Sequence, residues 1–351
     1  MIDYTASGVR QWLEFVLCDS RTLEEVAPLT GVASFSFAES WRGDYRQTGQ
    51  IDIDGERLPL WAAVRVYVCA SQGTETERDA LCTLYPTPAP VQVSKGRETA
   101  SYDLYSMMRK LDTNKQARDT GVPAGSNPGY RFIQLVRECG AVPSVHPGCD
   151  GYSTRAARVW EAGDSYLTEA HASAKACGGR VQPDAMGRVC LVPYQNPARV
   201  GDSFDIPAGA ASVVLPELEE AEPEITNRVV ASYSQNDRKW YSVATLDPAH
   251  PWSYERIGRW EVEEVRPPQI EDEGTVQSVL DALTARTLAA RSDISRVYSA
   301  SMLYMPIRAG QAGTLSYIDG GASVTVRGFV SAREVRQDGA AFVQEITLEE
   351  V

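Results

Sequence analysis

The sequence predicts an α+β chain, mainly β, with strand-rich segments at both ends and an α/β segment between them. Three observations predict it. Near the N-terminus apolar and polar residues alternate with period two, as in Ala33-Ser-Phe-Ser-Phe37 and Gln50-Ile-Asp-Ile-Asp54, which marks half-buried strands. From Asp112 to Leu215 the texture changes to short helices and a hairpin. From Glu224 to Asp319 strands flank a single helix over about Thr275 to Arg291. In that helix Val276, Val279, Leu280, Leu283 and Ala290 fall at helical spacing, with Thr287 in line. One long helix packed on strands suggests a barrel closed by a helix.

The elements follow in order. Gly8 to Tyr102 reads as an all-β unit, with Trp12 to Leu17 as an early strand and Leu60 to Val68 as a longer, more apolar, central one. Ala80 to Leu84 starts the next strand, and Pro86, Pro88 and Pro90 break it. Arg97 to Leu111 runs from strand into helix. Asp112 to Asn127 is polar and glycine-bearing, which predicts a mobile loop. Tyr130 to Cys139 reads as a helix ended by Gly140. Asp164 or Ser165 caps a second helix, which runs to about Cys177 and ends at Gly178-Gly179. Arg180 to Pro193 is a hairpin turning near Gly187. Pro216 to Glu224 is an acidic connector and an expected boundary. Ile225 to Tyr233 and Lys239 to Thr245 are strands. The chain closes on long strands with an Asp-Gly turn at Gln337 to Ala340.

Several stretches in this order resemble the hub protein of phage tail tips and baseplates. They are TGQIDID (Thr48–Asp54), AAVRVYV (Ala62–Val68), LCTLYPTP (Leu81–Pro88), the NRVV strand (Asn227–Val230), SYERIGRWEVEE (Ser253–Glu264) and PIRAGQAGTLSY (Pro306–Tyr317). The capped helix, Gly-Gly and hairpin of 165–193 add to the likeness, which is weakest from Asp112 to Trp160. The resemblance implies two tail-tube-like β-barrels per chain: a first barrel domain at 1–105, an inserted α/β domain at 106–215, and a second barrel domain at 216–351 with its flanking helix at 275–291. It further implies a homotrimer, forming a pseudo-sixfold ring between the tail tube or distal tail protein above and tip, spike or fibre proteins below. DNA would pass through without specific binding. The expected location is the virion tail tip, assembled in the host cytoplasm. Because the sequence ends just after the last expected barrel strand, no C-terminal enzymatic extension is expected.

Bulk properties bound the function. A chain of 351 residues suffices for two or three domains. A net charge of −13 argues against electrostatic grip on nucleic acid, and suits a wall that DNA slides past. Only five lysines occur, so arginine carries most of the positive charge, which reads as a GC-rich coding bias. Met1-Ile-Asp-Tyr lacks the basic start of a signal peptide, and no run approaches the roughly 20 apolar residues of a membrane helix; no membrane insertion is expected. Seven cysteines, an odd number without regular spacing, read as mostly free thiols.

Candidate chemistry is sparse. Cys139, His146 and Cys149 form the best metal-like cluster, with Cys177 or Cys190 able to complete a set. Only His146 and Cys149 have ligand spacing, so the expectation is a loop with incidental thiols and no metal. His171 and His250 stand beside no nucleophile elbow, and no hydrolytic triad is expected. Glu261, Glu263 and Glu264, and Glu271, Asp272 and Glu273, read as solvated acids near a helix start. No phosphate loop or dinucleotide fingerprint occurs. Trp240, Trp252 and Trp260 gather in one region, as core or subunit-interface packing or as a sugar-binding shelf. The expectation is thus a structural protein with no catalytic, cofactor or metal site; the alternatives are a carbohydrate-binding tip module and a tail-associated hydrolase.

Overall fold

The computed structural model describes residues 2–55, 57–59, 61–87, 91–94, 97–210, 213–217, 226–235, 238–267, 270, 273–291, 296–319, 321–338 and 341–351. The chain forms two compact units, Met1–Leu218 with Tyr298–Val351, and Glu219–Val297.

The first unit begins with eight strands: β1 (Arg10–Asp19), β2 (Glu25–Pro28), β3 (Val32–Ser40), β4 (Gln47–Asp54), β5 (Ala62–Gln72), β6 (Glu75–Pro86), β7 (Val91–Ser94) and β8 (Arg97–Tyr105). The alternating residues face one core, where Phe35, Phe37, Ile51 and Ile53 meet Val64, Val66, Leu81 and Leu84. In β5 every residue from Ala62 to Ala70 is buried, because β1 and β6 flank it along its length. This is the central strand that the apolar run predicts. Pro88 and Pro90 lie outside the described residues.

A mixed α/β segment follows. It comprises α1 (Met108–Thr113), β9 (Thr120–Val122), α2 (Pro128–Glu138), β10 (Pro143–Val145), β11 (Arg158–Trp160), α3 (Tyr166–Ala176), β12 (Gly179–Pro183) and β13 (Val189–Pro193). The stretch read as a mobile loop instead holds β9, which pairs with β11. The helix expected from Tyr130 starts two residues earlier. Asn127 Oδ1 accepts a hydrogen bond from the Tyr130 amide at 3.0 Å, and Pro128 occupies the first helical turn, where a missing N–H costs nothing. Ser165 is the second cap, accepting from the Thr168 amide at 3.1 Å. Phe132, Leu135, Leu167, Ala170 and Val181 share a separate core. The hairpin tip then docks on the first β group. Buried Arg65 donates to Leu23 O at 2.9 Å and Met186 O at 3.1 Å, and Thr83 donates to Ala185 O at 2.8 Å. Gly187 has φ +87°, and a Cβ there would meet Thr83 at 3.0 Å.

β14 (Asp202–Ile206) and β15 (Val213–Glu217) lead out of this unit. The second unit holds β16 (Arg228–Gln235), β17 (Arg238–Thr245), α4 (Tyr254–Ile257), β18 (Val262–Val265) and α5 (Val276–Arg291). Its strands form a sheet in the order β17-β16-β18, and α5 packs on it through Val276 and Leu280, against Ala231 and Ile270. Buried α5 positions fall four apart, at Val276, Leu280, Thr284 and Leu288. Thr284 is tolerated there because its hydroxyl lies 2.9 Å from Ser242 Oγ. Leu283 and Thr287 are half-buried beside the stripe.

The chain re-enters the first unit with β19 (Val297–Met302), β20 (Ala312–Asp319), β21 (Ala322–Asp338) and β22 (Ala341–Glu350). The stretch from Glu224 to Asp319 is therefore no single helix-closed barrel, and the range 216–351 divides near Tyr298. The physical reason is two cores: α5 and its sheet bury one, whereas β19 to β22 bury another around Tyr298, Met302, Leu315, Val330 and Leu348. Glu224, Ile225, most of the acidic connector and the Gly339-Ala340 turn lie outside the described residues.

β21 is the spine of the first unit. It pairs with β20, β22 and, across the chain, β3. That last pairing joins the N-terminal and C-terminal strand groups into one 14-stranded sheet. At the seam Arg333 stands opposite Glu39 in register, and Arg333 Nε donates to Glu39 Oε2 at 2.7 Å. Arg333 Nη1 donates to Ile307 O at 2.7 Å, and Glu39 also accepts from Gln47 Nε2 at 2.8 Å and the Ala309 amide at 3.2 Å. Gly310 in the PIRAG turn has φ +89° and lies against Trp41, leaving no room for a side chain.

Candidate functional site

The sulfur-bearing cluster is divided by burial. Cys139, Cys149 and Cys177 enter the α/β core, whereas His146 stays outside it. His146 caps a short 3-10 turn, its Nδ1 accepting from the Gly148 amide at 3.0 Å. The Cys177 thiol donates to Ala174 O at 3.2 Å. Burial pushes the Cys139 thiol up to about 12 and the Cys149 thiol to about 11, the latter helped by Cys177. Cys190 is also pushed up to about 12 by burial. Such thiols stay protonated at neutral pH, which suits packed core cysteines rather than nucleophiles. Among the described residues no cluster of His, Cys, Asp or Glu could hold a metal ion.

The remaining titratable candidates are scattered or paired. Burial, then Arg46, holds the His171 imidazole below its usual value. His250 Nδ1 accepts from the Trp252 amide at 3.3 Å. Glu263 and Glu264 are neighbours on β18 and so point to opposite faces of the sheet. Glu263 pairs with Arg291 at 3.1 Å, Glu261 with Arg259 at 2.7 Å and Glu273 with Arg238 at 2.9 Å. Glu271 and Asp272 lie outside the described residues.

The tryptophans do not form one shelf. Trp240 packs with Tyr233 in the sheet-helix core, ring centroids 6.4 Å apart. Trp260 stacks on Tyr254 at 4.5 Å, and the Arg228 guanidinium lies 4.9 Å from its ring centroid. Arg228 pairs with Thr245, five residues along β17 from Trp240, or roughly 17 Å at strand rise. What organises this end is Asn227, fully buried. Its Nδ2 donates to Trp252 O at 3.1 Å and Arg259 O at 3.0 Å, and its Oδ1 accepts from the Glu261 amide at 2.9 Å. The NRVV and SYERIGRWEVEE segments are thus tied by one amide side chain, a link that spacing alone does not reveal.

One concavity escapes the sequence reading. A cleft of about 490 Å³ opens in the α/β segment between α3 and the chain from Tyr152 to Trp160. Arg131, Arg155, Arg158 and Lys175 line it, with Glu169 as its one carboxylate. Glu169 is buried and fully occupied. It receives Arg131 Nε at 2.6 Å, Arg131 Nη2 at 3.0 Å and Gln116 Nε2 at 2.7 Å. The signal in the sequence is Tyr152-x-x-Arg155-x-x-Arg158-x-Trp160, aromatic and cationic residues interleaved in a segment without regular periodicity.

The sequence matches no protein-family model and no curated protein. The structure is similar along its length to solved tail proteins. A 43 kDa tail protein of prophage MuSo2 from Shewanella oneidensis shares 10% identity at a TM-score of 0.64, covering 95% of this chain and 98% of that one. A tail protein from Neisseria meningitidis shares 12% identity at 0.63, covering 96% of each. A prophage tail protein from Listeria monocytogenes shares 11% at 0.53, covering 96% of this chain and 94% of its own. The fold, α+β and mainly β, is that of these tail proteins. No helix among the described residues is long and apolar enough to cross a membrane.

Proposed function

We propose that this chain is the structural hub of a phage-type tail tip or baseplate, a homotrimer that joins the tail tube to the distal tip and leaves a channel for DNA. The single observation that carries the reading is the β3–β21 seam, which welds N-terminal and C-terminal strand groups, each with its own core, into one sheet. A chain built from two edge-joined β units suits a ring in which three copies present six similar units to a sixfold tube. End-to-end similarity to three tail proteins, two of them from prophages, supports it. A chain of the Francisella PdpA-VgrG complex is also similar, at a TM-score of 0.58 and 8% identity, although this chain covers only 58% of it.

In this reading residues 1–105 form the first barrel and 106–215 its inserted α/β domain. The second barrel falls within 216–351, with the sheet and helix of the second unit carried as an excursion from it. The tube or distal tail protein lies above, and tip, spike or fibre proteins lie below. The negative balance keeps DNA from adhering as it passes. Its work is mechanical and needs no catalytic residue. Tail particles labelled with antibody against this chain and viewed by electron microscopy test the placement. Label confined to the tip is the expected result; label along the tube, or none, would refute it.

A further inference from the structure

We propose that the cleft between α3 and the Tyr152–Trp160 segment binds a carboxylate-bearing sugar. The electrostatics come first. In a chain of net charge −13, this one concavity is lined by four cations against one carboxylate. Glu169 is already neutralised by Arg131, so it offers nothing to Arg155, Arg158 or Lys175. Those three are exposed, and none of them has an ion-pair partner among the described residues. Uncompensated cations at the rim of a concavity focus field lines and draw in an anion.

Shape and lining narrow the class. The volume falls in the range of small-ligand pockets, too small for a folded partner or a nucleic-acid duplex. The lining also holds Pro128, Ala172 and Ala176, and half-buried Trp160 adds an aromatic surface. A sugar ring has an apolar C–H face to lay on such a surface and hydroxyls to donate to Ser126 and Thr154, whose own O–H groups already donate to Pro123 O at 2.7 and 3.1 Å; a sugar acid adds a planar carboxylate for an arginine fork. Acidic peptides and single-stranded nucleic acid share the charge. They call for an extended groove rather than a cleft of small-ligand size, and an overall acidic chain disfavours nucleic acid. The proposal stands whether or not the chain is a tail hub.

Titration calorimetry on the full chain, with trigalacturonate as ligand and maltotriose as its neutral counterpart, tests it. Hexaglutamate and a short oligothymidylate serve as competing anions. Saturable trigalacturonate binding is expected, weakening with salt, while maltotriose gives none. Arg155→Gln/Arg158→Gln should lower the affinity at least about tenfold. The altered side chains are exposed, so an unchanged melting temperature shows that folding is intact. No trigalacturonate binding, equal maltotriose binding, or preferential binding of hexaglutamate or oligothymidylate would each overturn the proposal.

Discussion

Glu39 and Arg333 form an ion pair that water cannot screen. Arg333 is 2% exposed, and both partners use further hydrogen bonds to protein atoms. Removing one partner leaves a buried charge unpaired, which costs about 3–5 kcal/mol. Arg333→Met and Glu39→Gln should therefore each destabilise the first unit by that order, seen as a lower urea midpoint by tryptophan fluorescence. The pH dependence has a definite sign. Burial pushes the Glu39 carboxyl up, but Arg333, Gln47 and the Ala309 amide outweigh it and hold the value below the usual 4.5. Its contribution is thus fully present above the unfolded value and lost as pH falls through the folded one. Acid titration of stability should be shallower in Glu39→Gln than in the parent below about pH 4.5. The thiols behave in the opposite sense. All seven cysteines are buried and free, so an aromatic disulfide reagent should label few or none in the native protein and all seven in denaturant. Fast native labelling of Cys149 would contradict the packing of the α/β core.

At the level of elements the hairpin tip offers the sharpest test. Gly187 combines a left-handed backbone with a Cβ position pressed on Thr83 and Leu23. Gly187→Val should cost at least about 2 kcal/mol from strain and overpacking. Proteolysis within 180–193 should accelerate as the tip undocks from Arg65. Leu280→Ala, which hollows the core under α5, should cost about 2–5 kcal/mol. It should lower the first of two calorimetric transitions while the other stays put, because the two units bury separate cores. Elements with strong local pattern were legible in advance: the β3 and β4 alternation, the buried run of β5, the hairpins and α5. Partnership was not. The apolar stripe of α5 read as a barrel-closing face, but period-3.6 spacing says only that a face is buried, not which strands cover it. Asn127-Pro128 is a helix-start signal, but it sits at the end of a glycine-bearing polar stretch that masks it. Asn227 could not have been recognised as a bridge, since its partners lie 25 to 34 residues away. The Tyr152–Trp160 wall has no periodicity to read, and its cationic character becomes a cleft only when α3 folds opposite it.

For the whole molecule the governing fact is that chain ends far apart in sequence share one sheet. β3 and β21 are about 300 residues apart, and Gln11 holds the backbone of Tyr304 from both sides, at 2.7 and 3.1 Å. Loop closure of that span is slow, so the first unit should refold slowly after dilution from denaturant, with the second unit recovering first. A refolding trace with one fast phase would argue against such a division of labour. A first unit with a core in each β group and another in its α/β segment, and a separate sheet-helix unit, together make a sound building block for a ring, and the ring is the central claim. Cryo-electron microscopy of the tail tip tests it most directly. Three copies around the tail axis, with the two β groups of each alternating about a pseudo-sixfold channel, are predicted. A reconstruction in which this chain lies off the axis, or forms no closed ring, would contradict it.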